Sequence, residues 1–424
     1  MKYQEINVFF DAGDQKKEFV GVLASTGSKV FFEYEPTWVS KGIELSPIHL
    51  PLSKKNFQLD APALLNSLPG LFSDSLPDGW GMLIMDHFFL KKGIARHQIT
   101  PIDRLAYLGD FAMGALCYNP ALDDTDKPPV EAVNIGESAR EANRLFEGKI
   151  EDAGRLLAKI GGSPGGARPK ALIGISENGT DFVSGIGPLP ESHSHWMIKF
   201  SGPKPNELRE FGKYEGVLEY LYLQIAQSAG LNVPEYRLIT DDKGIRHIAV
   251  RRFDRPTYNV RLHSATACGM LHADCRLPSL DYYDLLKFAW VLTKDASQVL
   301  EQFRRAVFNL FASNRDDHSK NHGYLLDSKG RWNLSPAYDI TFTHGPGGQH
   351  WTSYEGEGET PKVSALKRLA EKASINTKDA LDAIEQTKSS ISEFPKLAKS
   401  HHVPPKIVNM ITDRLNQILI SAGS

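Results

Sequence analysis

The chain has 424 residues, of which 41% are hydrophobic and 24% are charged, and its formal net charge at pH 7 is −2. This composition is typical of a folded protein with two or three substructures, and the near-neutral charge argues against a general attraction to nucleic acid or anionic membranes. No apolar run approaches the roughly 18 residues of a membrane-spanning helix. The first residues predict a strand and not a signal peptide, and three cysteines do not make a disulfide framework. We therefore expect a cytoplasmic protein without membrane partners.

The N-terminal region is predicted to be rich in strands at first and helical afterwards. Short apolar runs at residues 6–10, 19–23 and 30–34 are separated by Asp, Gly and Ser, which is typical of strands joined by turns. From about residue 75 the apolar residues recur at helical spacing.

A glycine-rich loop follows a predicted linker at residues 119–129 and a helical stretch that extends to about residue 160. The loop, residues 161–170, contains four glycines, which allow backbone amides to approach phosphate oxygens, and Arg168 and Lys170 could add positive charge. Its spacing matches neither the P-loop nor the dinucleotide-binding pattern, so a plain glycine-rich loop is an alternative.

A single lysine lies within the next predicted strand, residues 195–200. Lys199 in a strand after a glycine-rich loop occupies the place of the residue that reaches the ATP phosphates in kinases. Glu219, on a predicted helix at residues 215–229, is a possible partner for it. The alternatives are a lysine at an exposed strand edge and a solvated glutamate.

A further strand, residues 248–255, ends in a basic turn where a kinase would have the hinge between its lobes. Beyond it the spacing of apolar residues predicts mainly helices. These are residues 281–293, 296–312 and 362–419.

The most informative pattern is Asp316, Asn321 and Asp339, with a predicted hairpin at residues 324–334 between the last two. A kinase needs an Asp that orients the substrate hydroxyl, an Asn five residues later that holds Mg²⁺, and a second Asp beyond a hairpin. The alternative is a polar turn whose side chains bind the backbone. The order of all these elements favours phosphoryl transfer.

The predicted fold is therefore α+β and kinase-like, with two lobes, a β-rich N-terminal subdomain and an all-helical C-terminal lobe. We predict three parts: a β-rich subdomain at residues 1–118, a strand-containing part of the N-lobe at 130–255, and a helical lobe with the catalytic loop at 256–424.

The sequence resembles the HipA family of serine/threonine kinases, the toxins of bacterial toxin–antitoxin pairs, along nearly its whole length. Lys199 and the basic strand end after residue 248 belong to this resemblance. The other matching segments are residues 76–81, 108–114, 161–170, 314–321 and 336–339. One difference is Arg251, where family members often have Glu.

The resemblance implies a role for each matching residue, with ATP and Mg²⁺ as cofactors. Asp316 would be the catalytic base, Asn321 and Asp339 would hold Mg²⁺, and Ser163 would be an autophosphorylation site. The residues expected to bind ATP are Lys199, Ser163, Gly165, Gly166, Ala167, Arg168, Phe253 at the adenine, His318 and Lys320.

The resemblance also implies partners. These are a protein substrate of the translation-factor class, such as an aminoacyl-tRNA synthetase, and a small helix-turn-helix antitoxin that would bring the only contact with DNA. Two other functions stay open: a small-molecule phosphotransferase, and an inactive kinase fold that binds an antitoxin as a co-repressor. A zinc hydrolase is disfavoured, because the histidines lack the His-Glu-x-x-His spacing.

Overall fold

The structure is a computed structural model that describes residues 4–13, 16–26, 29–60, 65–121, 131–149, 166–205, 210–258 and 260–423. Its N-terminal region is an antiparallel sheet of five strands in the order β4-β3-β2-β1-β5. The strands are β1 (Glu5–Phe10), β2 (Glu18–Thr26), β3 (Lys29–Tyr34), β4 (Phe57–Asp60) and β5 (Leu116–Asn119). The helices are α1 (Pro36–Lys41), α2 (Gly70–Ser73), α3 (Gly79–Lys91) and α4 (Pro101–Leu108). The three strands predicted from the apolar runs are confirmed as β1, β2 and β3.

A second antiparallel sheet follows, in the order β7-β6-β8-β10-β9. Every residue of β6 (Lys170–Ser176) is buried, including the polar residues at its two ends, Lys170 and Ser176. The elements are α5 (Ile135–Phe146), β6 (Lys170–Ser176), β7 (Phe182–Ser184), β8 (His193–Lys199), α6 (Glu215–Ser228), β9 (Tyr236–Thr240) and β10 (Arg246–Arg251). Strand β8, which ends at Lys199, is the middle strand and not an edge strand.

The rest of the chain is mainly helical, but it also contains two small sheets, so the prediction of an all-helical lobe is wrong in this respect. The predicted hairpin is confirmed as β13 (Gly323–Leu326) and β14 (Trp332–Leu334), and β11 (His263–Thr266) extends it to three strands. The helices are α7 (Ala267–Leu271), α8 (Tyr282–Thr293), α9 (Ala296–Phe311), α10 (Val363–Lys372), α11 (Thr377–Ser392), α12 (Phe394–Ser400) and α13 (Pro405–Gly423). The strands are β11 (His263–Thr266), β12 (Leu280–Asp281), β13 (Gly323–Leu326), β14 (Trp332–Leu334) and β15 (Thr352–Ser353). Four short 3₁₀ helices complete the described elements: Arg96–Gln98, Gly212–Tyr214, Ser319–Asn321 and Pro346–Gly348.

The N-terminal region packs directly against the second sheet. Trp80 and Ile84 of α3 share a buried apolar cluster with residues of α5, β6 and β8, among them Ile173 and Trp196. The Trp80 indole also donates a hydrogen bond of 2.8 Å to the Lys170 carbonyl oxygen. The start of α3 is thereby fixed beside the start of β6.

A buried cluster of charges ties the same regions together at the end of β10. The Asp254 carboxylate accepts hydrogen bonds from Arg252 at 2.7 and 3.0 Å, from Arg255 at 2.9 Å and from the Gly114 amide at 2.9 Å. Its side chain is 1% exposed. We call Asp254, Arg252 and Arg255 the Asp254 cluster.

None of the helices in the described ranges is long and apolar enough to cross a membrane. All three cysteines lie in these ranges and are free thiols. The domain boundaries at residues 118, 130 and 255 stay a prediction.

Candidate active site

Lys199 lies at the centre of the candidate site, because it ends the middle strand of the second sheet. Its ammonium group is 2.6 Å from Glu219 Oε1 on α6 and also forms an ion pair with Asp339. The Lys199 and Glu219 side chains are only 13% and 6% exposed. Neither the exposed-edge alternative for Lys199 nor the solvated alternative for Glu219 applies.

The charges in this group keep one another ionised. Burial acts to lower the pKa of Lys199, but the carboxylates of Asp339 and Glu219 outweigh it and raise the pKa above its usual value. Burial acts to raise the pKa of Asp339, but Lys199 and Lys170 hold it well below its usual range. At neutral pH Lys199 is therefore a cation and Asp339 an anion.

The backbone presents Asp339 in an unusual conformation. Its φ of 53° lies in the left-handed region, which is uncommon for residues other than glycine and recurs at functional sites. Directly before it, the Tyr338 hydroxyl donates a 2.5 Å hydrogen bond to the Lys320 carbonyl oxygen. The segment after the hairpin is thus attached to the loop that contains Asp316.

The candidate catalytic loop, residues 314–321, brings Asp316 and Asn321 together. The Asn321 side-chain amide donates a 2.6 Å hydrogen bond to the backbone carbonyl of Asp316. His318 caps the 3₁₀ helix at the end of the loop, since its Nδ1 accepts from the Lys320 amide at 3.2 Å. The Asn321 amide is occupied by this contact, and its carbonyl oxygen is the atom that can bind a cation.

The Asp316 carboxylate is half exposed, with 49% of its side chain accessible. The partly buried surroundings raise its pKa above the usual value, the neighbouring His318 opposes this, and the charge of Asp339 adds to it. His318 Nε2 is 3.7 Å from Asp316 Oδ1. Asp316 is therefore an accessible carboxylate with increased proton affinity, as a general base requires.

Asp317 fixes the loop from its buried side, and sequence analysis gave it no role. Its carboxylate accepts hydrogen bonds from the Tyr282 hydroxyl at 2.8 Å, the Trp351 amide at 2.8 Å and His350 Nδ1 at 2.9 Å. The side chain is not exposed at all. The signal in the sequence was the adjacent Asp pair, in which only one carboxylate can face the substrate.

The glycine-rich loop lies only partly within the described residues. Ser163 and Gly165 fall outside them, whereas Gly166, Ala167 and Arg168 are described. Gly166 donates its amide proton to Asp78 Oδ1 and accepts a 3.0 Å hydrogen bond from the Trp80 amide. Gly166 has a φ of 95°, a backbone conformation that residues with a Cβ atom rarely adopt, so this position favours glycine.

Asp78 also contacts the catalytic loop, which makes it a site residue that sequence analysis missed. Its Oδ2 lies 3.3 Å from Lys320 Nζ. Burial acts to raise the pKa of Asp78, but Lys320 and the Gly166 amide hold it below its usual value. Asp78 lies within the segment 76–81 that supports the family resemblance, and this was the available signal.

The remaining predicted residues lie around this centre. Arg168 lines a cavity of about 200 Å³, including open space, together with Lys199 and Glu219. The Phe253 ring lies 5.5 Å from the Tyr338 ring, measured between centroids. Arg251 pairs with Glu235 at 3.0 Å.

The donor set suits a hard cation that shares its coordination with a phosphate ligand. The described residues contain no group of three or more His, Cys, Asp or Glu side chains that could hold a metal. Asp339 and Asn321 offer a carboxylate and an amide oxygen. Mg²⁺ accepts such a set, because it commonly takes one or two protein ligands and completes its shell with phosphate oxygens and water.

Comparison with protein families gives matches over most of the chain. The model of the HipA-like C-terminal domain matches residues 162–394, and that of the HipA N-terminal domain matches residues 14–119. A putative kinase of Sinorhizobium fredii, Y4dM, is 28% identical over 343 residues, which cover 76% of this chain and 74% of the relative.

The serine/threonine-protein kinase toxin HipA of Shewanella oneidensis is 21% identical over 343 residues, covering 74% of this chain and 70% of the toxin. A solved structure of Shewanella oneidensis HipA, in a complex with HipB and operator DNA, has a TM-score of 0.69 to this chain. It is 15% identical and covers 98% of this chain and 96% of that one. This similarity shows that the two proteins share a fold.

Proposed function

This chain belongs to the HipA family, and we propose that it is an ATP-dependent serine/threonine protein kinase. The observation that carries the proposal is the convergence of Lys199, Glu219 and Asp339 from three separate elements. Asp316 and Asn321, which are in contact with each other, supply the remaining parts of a phosphoryl-transfer site.

Lys199 would bind the phosphate oxygens of ATP. Its pKa is raised, so it is charged throughout the physiological range, and its three donors need not all remain on the two carboxylates. Glu219 holds the ammonium group in place at 2.6 Å. Its role is to position Lys199, since it is nearly buried.

Asn321 and Asp339 would hold Mg²⁺, which neutralises charge on the transferred phosphate when it is bound. The Asn321 side chain is oriented for this by its amide, which donates to the Asp316 carbonyl. Asp339 is kept ionised by Lys199 and Lys170, although burial opposes this.

Asp316 would orient the hydroxyl of a serine or threonine and accept its proton. The carboxylate is accessible and its pKa is raised, mainly by burial, which increases its affinity for that proton. Asp317 keeps the loop in place because four donors bind its buried carboxylate.

The family suggests a biological role for this activity. HipA of Shewanella oneidensis is a toxin whose structure is a complex with HipB and operator DNA. We propose that this chain is likewise a cytoplasmic toxin that phosphorylates a translation factor, such as an aminoacyl-tRNA synthetase. A small helix-turn-helix antitoxin would restrain it and provide the contact with DNA, for which a net charge of −2 gives this chain little drive.

Growth after induction separates this proposal from its alternatives. Wild type and Asp316→Asn are expressed from the same promoter, and labelled ATP with Mg²⁺ identifies the phosphorylated protein in a lysate. We expect arrest by wild type only. Normal growth with well-expressed wild type would favour a small-molecule phosphotransferase, and equal arrest by both would point to a co-repressor without catalysis.

Autophosphorylation of Ser163 is the part of the proposal that concerns residues outside the described ranges. A phosphate there would place about −2 charges where ATP phosphates bind, and should inhibit the kinase. Mass spectrometry after incubation with ATP detects the modification. Full kinase activity of Ser163→Asp would contradict the inhibitory role.

A further inference from the structure

A second cavity lies beside the candidate catalytic loop and has no role in the proposed reaction. It is enclosed by Arg315 of the loop, by α9, by residues 359–361 and by Arg414 of α13. Its volume is about 290 Å³, including the open mouth. Because this volume includes open solvent, only a small ligand can be enclosed between the side chains of the wall.

Arg315 is buried in the wall of this cavity, and not all of its hydrogen-bond donors have an acceptor among the described residues. It is 2% exposed, and one of its terminal nitrogens donates a 2.8 Å hydrogen bond to the Glu359 carbonyl oxygen. Its Nε and its other terminal nitrogen, Nη1, are buried and have no hydrogen-bond partner within the described residues. Buried charged donors without acceptors are unfavourable, so an acceptor is expected in the cavity.

Arg414 adds a second positive charge to the same cavity. The Arg414 side chain is half-buried, and it makes no ion pair or hydrogen bond with the residues that the structure describes. Burial, and after it the charge of Arg414, lowers the pKa of Arg315, which means that the two cations repel each other.

The carboxylates near Arg315 do not neutralise this pair. The Asp317 carboxylate already accepts from Tyr282, His350 and the backbone. Glu359 is exposed at the mouth, and the atom that it offers to Arg315 is its backbone oxygen. An anion bound from solution would neutralise the charges of Arg315 and Arg414.

We propose that this cavity binds a small oxyanion of the phosphate class between Arg315 and Arg414. Planar guanidinium groups present paired donors that match tetrahedral and carboxylate oxyanions. Arg315 immediately precedes Asp316, so a bound oxyanion would also hold the candidate catalytic loop. That consequence rests on the proposed kinase function, whereas the binding itself does not.

Calorimetric titration with inorganic phosphate tests the site, at an ionic strength kept constant with chloride. The full chain with Lys199→Gln is the parent protein, so that phosphate binding at the ATP site is weakened. Arg414→Gln is then added to it, and Lys406→Gln serves as the matched control, because Lys406 is an exposed residue of the same helix. Thermal unfolding in chloride verifies that each variant is folded.

We expect Arg414→Gln to weaken phosphate binding about tenfold or more, the effect of losing a charge-assisted hydrogen bond, and Lys406→Gln to leave it unchanged. A parallel titration with O-phosphoserine distinguishes the source of the ligand. Tighter binding of phosphoserine would identify a phosphorylated side chain, and tighter binding of phosphate would identify the free ion. Equal affinities of the Arg414→Gln and Lys406→Gln proteins, or no binding by the parent, would overturn the proposal, and the cavity would then hold water only.

Discussion

The Asp254 cluster and the group around Lys199 are built from the same kinds of charge but differ in how many of their donors and acceptors are used. Asp254 accepts four hydrogen bonds, and 1% of its side chain is exposed. Asp339, in contrast, has 31% of its side chain exposed and pairs with Lys199 through one oxygen. Asp254 thus differs from Asp339 both in its complete burial and in the number of hydrogen bonds that its carboxylate accepts.

The largest effect is expected in the candidate site, where hydrogen-bonding capacity remains free for a substrate. Asp316→Asn should lower turnover by about 10²–10⁴-fold, because the amide cannot accept the hydroxyl proton, while the dissociation constant for ATP changes little. Single-turnover phosphoryl transfer and calorimetry measure the two quantities. Turnover close to that of wild type would remove Asp316 from the mechanism.

Substitution in the Asp254 cluster should change the stability of the protein and not its turnover. Asp254→Asn should lower the free energy of unfolding by about 3–5 kcal/mol at pH 7, because two buried arginines lose their counter-charge. Urea unfolding measures this, and the specific activity of the folded fraction should be retained.

The pH dependence of that loss has a definite sign. Burial acts to raise the pKa of Asp254, but Arg252 and Arg255 hold it well below the usual value of about 4. The stabilisation is therefore present above pH 4 and is lost as the pH falls below it, so the difference between wild type and Asp254→Asn should shrink there. A difference that stays constant down to pH 2 would show that the charge of Asp254 is not the cause.

A smaller effect is expected at Asp317, whose buried carboxylate supports the candidate catalytic loop. Tyr282→Phe removes one of the donors to Asp317, a contact of about 1.5–3 kcal/mol, and loosens the loop that contains Asp316. We expect kcat to fall about tenfold with little change in the dissociation constant for ATP. Tyr34→Phe is the matched control, since the Tyr34 hydroxyl binds the Leu50 carbonyl in the first sheet. Equal losses in both variants would indicate a general effect on stability.

The smallest effect concerns Arg251, which the sequence analysis singled out as a difference from the family. Its guanidinium pairs with the half-exposed Glu235 and donates to the Pro256 carbonyl oxygen at 3.2 Å. Partly exposed pairs of this kind contribute only about 0–1 kcal/mol. Arg251→Gln should therefore leave the dissociation constant for ATP within about threefold of wild type, and a larger change would place this side chain at the nucleotide.

Local elements of this chain can be predicted from its sequence, because their signals are local. Alternation and helical spacing indicate β1 to β3, α6 and the hairpin of β13 and β14 within a few residues. The sequence left Glu219 as only a possible partner of Lys199, because the order of a strand and a helix does not determine which side chains meet.

Contacts between distant segments could not be predicted in this way. The sequence contains no local sign that His350 binds Asp317, or that Asp78 reaches Lys320 across 242 positions. The left-handed backbone conformation of Asp339 could not be predicted either, because the residue is not a glycine. These features depend on tertiary packing, which overrides local preferences.

The contacts of Asp78 have a consequence for how this gene can be divided. Asp78 belongs to the segment matched by the HipA N-terminal domain, yet it binds both Gly166 and Lys320 of the C-terminal one. A truncated gene that begins near residue 162 would thus encode a protein without one wall of its own active site. Chimeras between relatives should exchange residues 76–81 together with the glycine-rich loop and the catalytic loop, because Asp78 connects these three segments.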